Sequence, residues 1–382
     1  MERVTSALFD PLAGAADVDA TIDDRAWLRA LCEVETALAR ACREVGLIDL
    51  PTALEIGAAA EAFADTDPAE LGRRSVAGGN PVIPLVESLR DRVRSRAGDA
   101  AADAVHLGAT SQDVLDTAAM LVTVRALDVV VPALRGCAGH CAALARAHRD
   151  TPMIGRTLMQ QAVPTTFGAL AAVWGRGLDR ATARLATVRG SLPVQLGGAG
   201  GTLAALYPRG TDVRGALADE LDLRDPGAVW HTDRGVIAEL AGTLGAAAVA
   251  VGKTAGDVIL LAQTELGELR ESAPGGSSSM PHKRNPIAAI TARAAAAAAP
   301  GLVATLLAEG AHELQRAAGP WHAEWPALTG LLRSVGGSAS RLQDCLGGLE
   351  VDAAAMLAAL GDRPVELGHA GDLVDSYLGA RR

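Results

Sequence analysis

The sequence predicts an all-α fold, built as a long-helix bundle. Almost no stretch alternates apolar and polar residues with period two, so strands are expected to be few. Several helical patterns run beyond 25 residues, longer than an ordinary globular helix. Hydrophobic residues make up 49% of the 382-residue chain, yet aromatic residues only 3%. The core must then be Ala, Leu and Val, whose small side chains let helices approach closely.

Residues 24 to 45 place Trp27, Leu28, Leu31, Val34, Leu38 and Val45 on one side of a helix. Asp23 or Asp24 is its expected N-cap and Gly46 its stop. A short helix is expected over 52 to 64. "AGGNPVIPLVESLRDRV" reads as a Gly/Pro loop that enters a helix near Pro84. A long helical pattern covers 112 to 148, with Pro132 as a kink or break. Further helical patterns cover 160 to 189, 231 to 271, 286 to 318 and 325 to 346. Long helices that are apolar on several sides usually need partner chains to cover them, so a homo-oligomer is expected.

The formal charge is -10 and no basic stripe is visible, which argues against nucleic acid as a partner. An anion site must therefore be built locally. The N-terminus has no basic region followed by an apolar stretch, so no secretory signal is expected. No uninterrupted apolar run is expected to reach the roughly 18 residues of a membrane span. The five cysteines form no CxxC pair and read as reduced core thiols of a cytoplasmic protein.

"GGSSSMPHKRNP", residues 275 to 286, interrupts this helical chain. Gly275 and Gly276 give backbone freedom. Ser277, Ser278 and Ser279 give hydroxyls and closely spaced N–H groups. Lys283 and Arg284 bring charge, Asn285 an amide, and Pro286 suits the first turn of a helix whose N-terminus attracts anions. The segment reads as a loop that closes over an anion and does proton chemistry.

"HLGATSQDVLDTA" (106 to 118) can be a capping turn with a structural histidine. It can equally be a helix start whose Thr110 and Ser111 leave N–H groups free for a carboxylate. "GRTLMQQAVPTTFG" (155 to 168) is either a helix start kinked at Pro164 or a place where Arg156, Gln160 and Gln161 meet a polar substrate. "WHTDRG", with His231 and Arg234, either lends polar groups to a site or starts the next helix. "QLGGAGGTL" misses the GxGxxG spacing at Leu203 and no strand precedes it, so no dinucleotide loop is expected. His312 and Glu313 begin like a zinc motif, but Arg316 stands where the second histidine belongs. No metal and no cofactor are expected.

Taken together these segments resemble the fumarase/aspartase superfamily. Its signature GSSxMPxKxNP is matched at Gly276, Ser277, Ser278, Met280, Pro281, Lys283, Asn285 and Pro286. "HLGATSQDVLDTA" is similar to its first block and "RTLMQQAVPTTFG" to its second. Together with "QLGGAGGTLAAL", "WHTDRGVIAEL" and "GPWHAEWPAL", they look most like the bacterial 3-carboxy-cis,cis-muconate cycloisomerases. The likeness spans roughly residues 5 to 355. It implies an N-terminal helical domain (1–105), a central long-helix bundle (106–345) and a C-terminal helical segment (346–382). The C-terminal domain looks shortened relative to the family.

The resemblance also implies a chemistry. A small polycarboxylate loses a proton beside a carboxylate, an aci-carboxylate intermediate forms, and a group departs from the next carbon. Ser277 is implied as the base and His106 as the other catalytic residue, which orients or binds a carboxylate. Asn80, Thr110, Ser111, Gln112, Arg156, Gln160, Gln161, His231, Ser278, Met280, Lys283 and Asn285 are implied to bind substrate. Three chains of a homotetramer are implied to share each site. Many relatives carry a general-acid histidine where this chain has Leu158. A carboxylate leaving group, of pKa about 4, needs no such acid, so Leu158 favours lactone chemistry. Adenylosuccinate lyase, or a non-catalytic structural paralogue, is the alternative.

Overall fold

The computed structural model describes residues 8–381. We number its helices of ten residues or more in chain order. Helix α1, Asp24–Glu44, begins where the Asp23 side chain accepts the Ala26 amide at 2.8 Å, and gives way to Gly46 at φ +79°. The expected cap and stop thus hold. Helix α2 is Leu50–Ala64, capped by Asp49, and α3 is Val82–Ala97. The longest helix, α4, is Ser111–Ala147, and it carries Pro132 without ending.

The first departure from expectation follows. Residues 160 to 166 do not start a helix. Pro152–Thr157 (β1) and Gln160–Thr166 (β2) form an antiparallel hairpin, with Pro164 opposite Ile154. The physical reason is local. Val163, Pro164, Thr165 and Thr166 combine β-branched residues with a proline that cannot donate to a helical ladder. The Thr166 side chain then accepts the Ala169 amide at 3.1 Å and starts α5, Phe167–Arg189. At the hairpin tip Leu158 and Met159 have φ of +49° and +65°, the left-handed pair that a two-residue turn of this kind requires.

Helix α6 is Gly210–Leu221 and α7 is Gly235–Leu261. The pattern expected to 271 therefore ends ten residues early, and Leu269–Glu271 forms a strand (β3) with Leu349–Val351 (β4). Helix α8 is Ile287–Ala308, α9 is Pro320–Gly347 and α10 is Ala370–Gly379. Between α8 and α9 the expected helix fails at Gly310. Gly319, at φ +119°, and Pro320 then set up the next start.

Helices α4, α5, α7, α8 and α9 pack on one another as the central bundle, while α1 lies against α2, α4 and α6. The buried core is Ala, Leu and Val with few aromatics, and all five cysteines are buried and free. By length and composition α7 and α8 could each cross a membrane, which corrects the expectation that no stretch qualifies. Both are bundle helices that their own chain covers only in part. Val249 on α7 is 68% exposed and Leu307 on α8 53%.

Candidate active site

Helices α4, α7 and α9 begin at one end of the bundle, where α8 finishes. At this end Asp113, in the first turn of α4, is 1% exposed. Its carboxylate accepts the amides of Thr110, Gly197 and Gly198, each at 2.9 Å, and His231 Nε2 approaches it at 2.6 Å. The glycine loop is thus a cradle for a buried carboxylate. Gly198 has φ +72°, and a Cβ there would lie 2.9 Å from the Gly108 carbonyl oxygen, so only glycine fits without strain.

Gln112 is fully buried. Its Nε2 donates to the His231 carbonyl at 2.8 Å and to Asp116 at 3.1 Å, and its Oε1 accepts Arg316 Nη1 at 3.1 Å. Asp116 also accepts from Arg234 at 2.8 and 3.2 Å and from Trp321 Nε1 at 2.9 Å. Arg234 reaches Glu324 at 3.0 and 2.5 Å. Burial opposes the charge on Arg234, but Asp116 and Glu324 more than offset it, so the guanidinium is held above its ordinary value. Gln112 and His231, expected as substrate contacts, therefore have internal partners. They lock the segments 106–118, 195–203, 230–235 and 311–325 into one unit.

Next to this unit His106 adopts φ +62°. Its Nδ1 lies 2.6 Å from Glu35 Oε1, and its side chain keeps 12% exposure. Thr110 and Ser111 lie at the start of α4 beside it, half-buried. Asn80 is buried and accepts the Val82 amide at 3.1 Å, starting α3.

The remaining expected residues lie at the other end of the bundle. Arg156 on β1 meets Glu268 with both terminal nitrogens, at 2.9 and 2.6 Å. Gln160 is exposed, and Gln161 accepts from Arg363 at 3.0 Å. Residues 275 to 285 form a loop closed at its neck, where Gly275 and Asn285 exchange two backbone hydrogen bonds at 2.9 Å. Asn285 Nδ2 donates to the Gly276 carbonyl at 3.0 Å. Ser277 Oγ accepts the amides of Met280 at 3.2 Å and Ser279 at 3.4 Å. Ser278, Met280 and Lys283 are exposed, and Lys283 makes no ion pair among the described residues. Below the neck Glu271 accepts the Ala288 and Ala289 amides at 3.1 and 2.8 Å.

The two groups are separated by the length of α7, 27 residues, or about 40 Å at 1.5 Å per residue. His106, Thr110 and Ser111 therefore do not meet Ser277 within one chain.

A lyase family model matches residues 12–301, three quarters of the chain. The chain belongs to the lyase family. Among its relatives, a 3-carboxy-cis,cis-muconate cycloisomerase of Bradyrhizobium diazoefficiens is 44% identical over 94% of this chain and 80% of its own length. A nitrosuccinate lyase of Streptomyces davaonensis is 42% identical over 94% of this chain and 77% of its own. The crystal structure of 3-carboxy-cis,cis-muconate lactonizing enzyme from Pseudomonas putida superposes with a TM-score of 0.91 at 34% identity, covering 98% of both chains. The family resemblance and the all-α bundle are thereby borne out. No group of three or more histidine, cysteine or acidic side chains is disposed to hold a metal ion among the described residues of this lyase.

Sequence reasoning missed Asp113, Asp116, Glu324 and Glu35. Glu35 had a visible signal, since it falls on the apolar face defined by Leu31, Val34 and Leu38.

Proposed function

We propose that this enzyme interconverts 3-carboxy-cis,cis-muconate and its carboxymuconolactone. The observation that carries the reading is the Ser277 hydroxyl, which accepts two backbone amides in a loop that also carries the exposed Lys283, without an ion pair among the described residues. Amides preorganised around an oxygen stabilise the negative charge it gains when it gives up its proton. In the opening direction Ser277, as alkoxide, takes the proton beside the carboxylate. The electron pair moves into that carboxylate, and the lactone C–O bond breaks to release a second carboxylate. In the closing direction that carboxylate oxygen adds to the alkene carbon, and the Ser277 hydroxyl returns the proton to its neighbour. Lys283, Asn285 and the Ser278 and Met280 segment hold the dianion; Thr110, Ser111, Asn80 and His106 hold the other carboxylates. Gln112, His231 and Arg156, with Gln160 and Gln161, shape the walls.

The site is shared. The separation of about 40 Å along α7 supports a homotetramer in which different chains supply the two groups. The partly covered apolar faces of α7 and α8 fit burial in such a bundle better than a membrane. We assign the protein to the cytoplasm and carry forward the division at residues 105 and 345. The test is direct: purified protein with 3-carboxymuconate, no metal and no nucleotide, followed by absorbance. Formation of the lactone supports the reading, and an unchanged substrate spectrum defeats it.

One observation favours a second reading. Leu158 stands at the hairpin tip where the resemblance implies a general-acid histidine in many relatives, and nitrite, like a carboxylate, leaves without protonation. The 42% identity to a nitrosuccinate lyase points the same way. Release of nitrite from nitrosuccinate, with no turnover of the muconate, would establish it.

A further inference from the structure

Glu35 is 1% exposed on α1, among Leu31, Cys32, Val34, Leu38 and Cys42. A carboxylate in such surroundings costs several kcal/mol unless it is paired. Oε1 has one partner, His106 Nδ1 at 2.6 Å, and Oε2 is buried with none. His106 in turn has a left-handed backbone, φ +62°, which is uncommon outside glycine although histidine is among the residues that adopt it more readily. With Nδ1 committed to Glu35, Nε2 is the remaining ring nitrogen, without a partner among the described residues, on a side chain that keeps 12% exposure.

We propose that Glu35 is the positioning residue for His106: it fixes the ring so that Nε2–H is presented to the substrate, and it keeps the ring cationic so that it binds a substrate carboxylate. The assignment rests on the role given to His106 above.

Burial pushes the Cys32 and Cys42 thiols up to about 12, and the Glu35 charge adds to both. For His106, burial disfavours the cation, but the Glu35 charge and hydrogen bond more than offset it, and Asp113 on α4 adds to them. Arg90 on α3 opposes, and the balance leaves the ring above the ordinary imidazole value. Cys32, Cys42, Asp113 and Arg90, with Arg92 acting on Cys32, are thus the titratable and charged groups around the pair, and Glu35 is the ring's hydrogen-bond partner among the described residues.

The experiment uses the full-length assembled protein. Histidine ring carbons are labelled, and the His106 resonance is identified by its loss in His106→Asn. In wild type we expect its titration midpoint above 6.5. In Glu35→Gln, with melting temperature as the folding control, we expect the midpoint to fall by at least about one unit. A wild-type midpoint at or below 6.5, or one unmoved in Glu35→Gln, overturns the proposal. In kinetics Glu35→Gln is expected to raise KM about ten- to a hundredfold, with a smaller effect on kcat. In the His106→Asn background the same change is expected to add nothing; a further loss there would mean a merely structural role and would overturn the proposal. If wild type does not turn over 3-carboxymuconate, the functional reading fails, and the ring titration still decides Glu35.

Discussion

Arg156 and Glu268 form a two-point ion pair at 2.9 and 2.6 Å, with the carboxylate fully buried. It ties the hairpin β1–β2 to the segment that enters β3 and then the serine loop. The Asp352 amide, at 3.0 Å from the Glu268 carbonyl, joins β4 to the same point. Removing one partner leaves a buried charge, which typically costs about 3 to 5 kcal/mol. We expect Arg156→Ala to lower thermal stability by an amount in that range. Arg156→Lys is expected to recover only part, because an ammonium cannot reproduce the planar fork. Denaturant unfolding of the two variants checks this.

The hairpin tip makes a different kind of prediction. Leu158 is 96% exposed at φ +49°. A left-handed leucine costs about 1 to 2 kcal/mol, and asparagine tolerates the same conformation better. Leu158→Asn is therefore expected to hold or raise the melting temperature. If the tip lines a shared site, kcat/KM falls in the same variant. A melting temperature that drops would contradict the turn geometry.

Gly198 tests the carboxylate cradle. Alanine there meets both a left-handed φ of +72° and the Gly108 carbonyl oxygen at 2.9 Å. We expect Gly198→Ala to cost on the order of 1 to 3 kcal/mol. Turnover should fall with it, since the Asp113 clamp and the start of α4 shift together. Gly200→Ala, with nothing within 4 Å of the added methyl, is the control and should behave as wild type.

The acid side of the stability profile has an identifiable contributor. Burial raises the Asp225 carboxyl, but the Gly227 amide and Arg214 outweigh it, and its value is held below the usual carboxylate range. A depressed carboxylate stabilises the fold above its unfolded value, about 3.9, and that contribution is lost as pH falls through the folded one. Asp225→Asn should therefore melt below wild type at pH 7. The gap should narrow as pH drops below about 4. An equal gap at pH 7 and pH 3 would show that Asp225 acts through packing alone.

The helices were legible because Leu31, Val34 and Leu38, and their counterparts elsewhere, repeat with helical spacing, and because Asp23 and Gly46 mark ends that the backbone obeys. The hairpin was not, since Gln160 to Thr166 is too short for its period to stand out from the helix that follows. Chemistry-bearing loops were visible as breaks in composition. The internal network was hidden for another reason. Asp113, Asp116, Arg234 and Glu324 look like surface charges one at a time, and only tertiary pairing buries them together. Leu158 is legible in the sequence as a missing histidine, but its left-handed position at a turn is a property of the pairing between β1 and β2.

The central claim is that a serine on one chain works with a histidine block on another. Ser277→Ala alone should lose at least about a hundredfold in kcat, and His106→Asn should be similarly impaired. The decisive measurement is the activity of hybrids from the two inactive proteins, unfolded and refolded together. The account predicts that mixed assemblies regain turnover, because some sites then combine an intact Ser277 loop with an intact His106. Hybrids as inactive as their parents, though shown to be mixed, would contradict it.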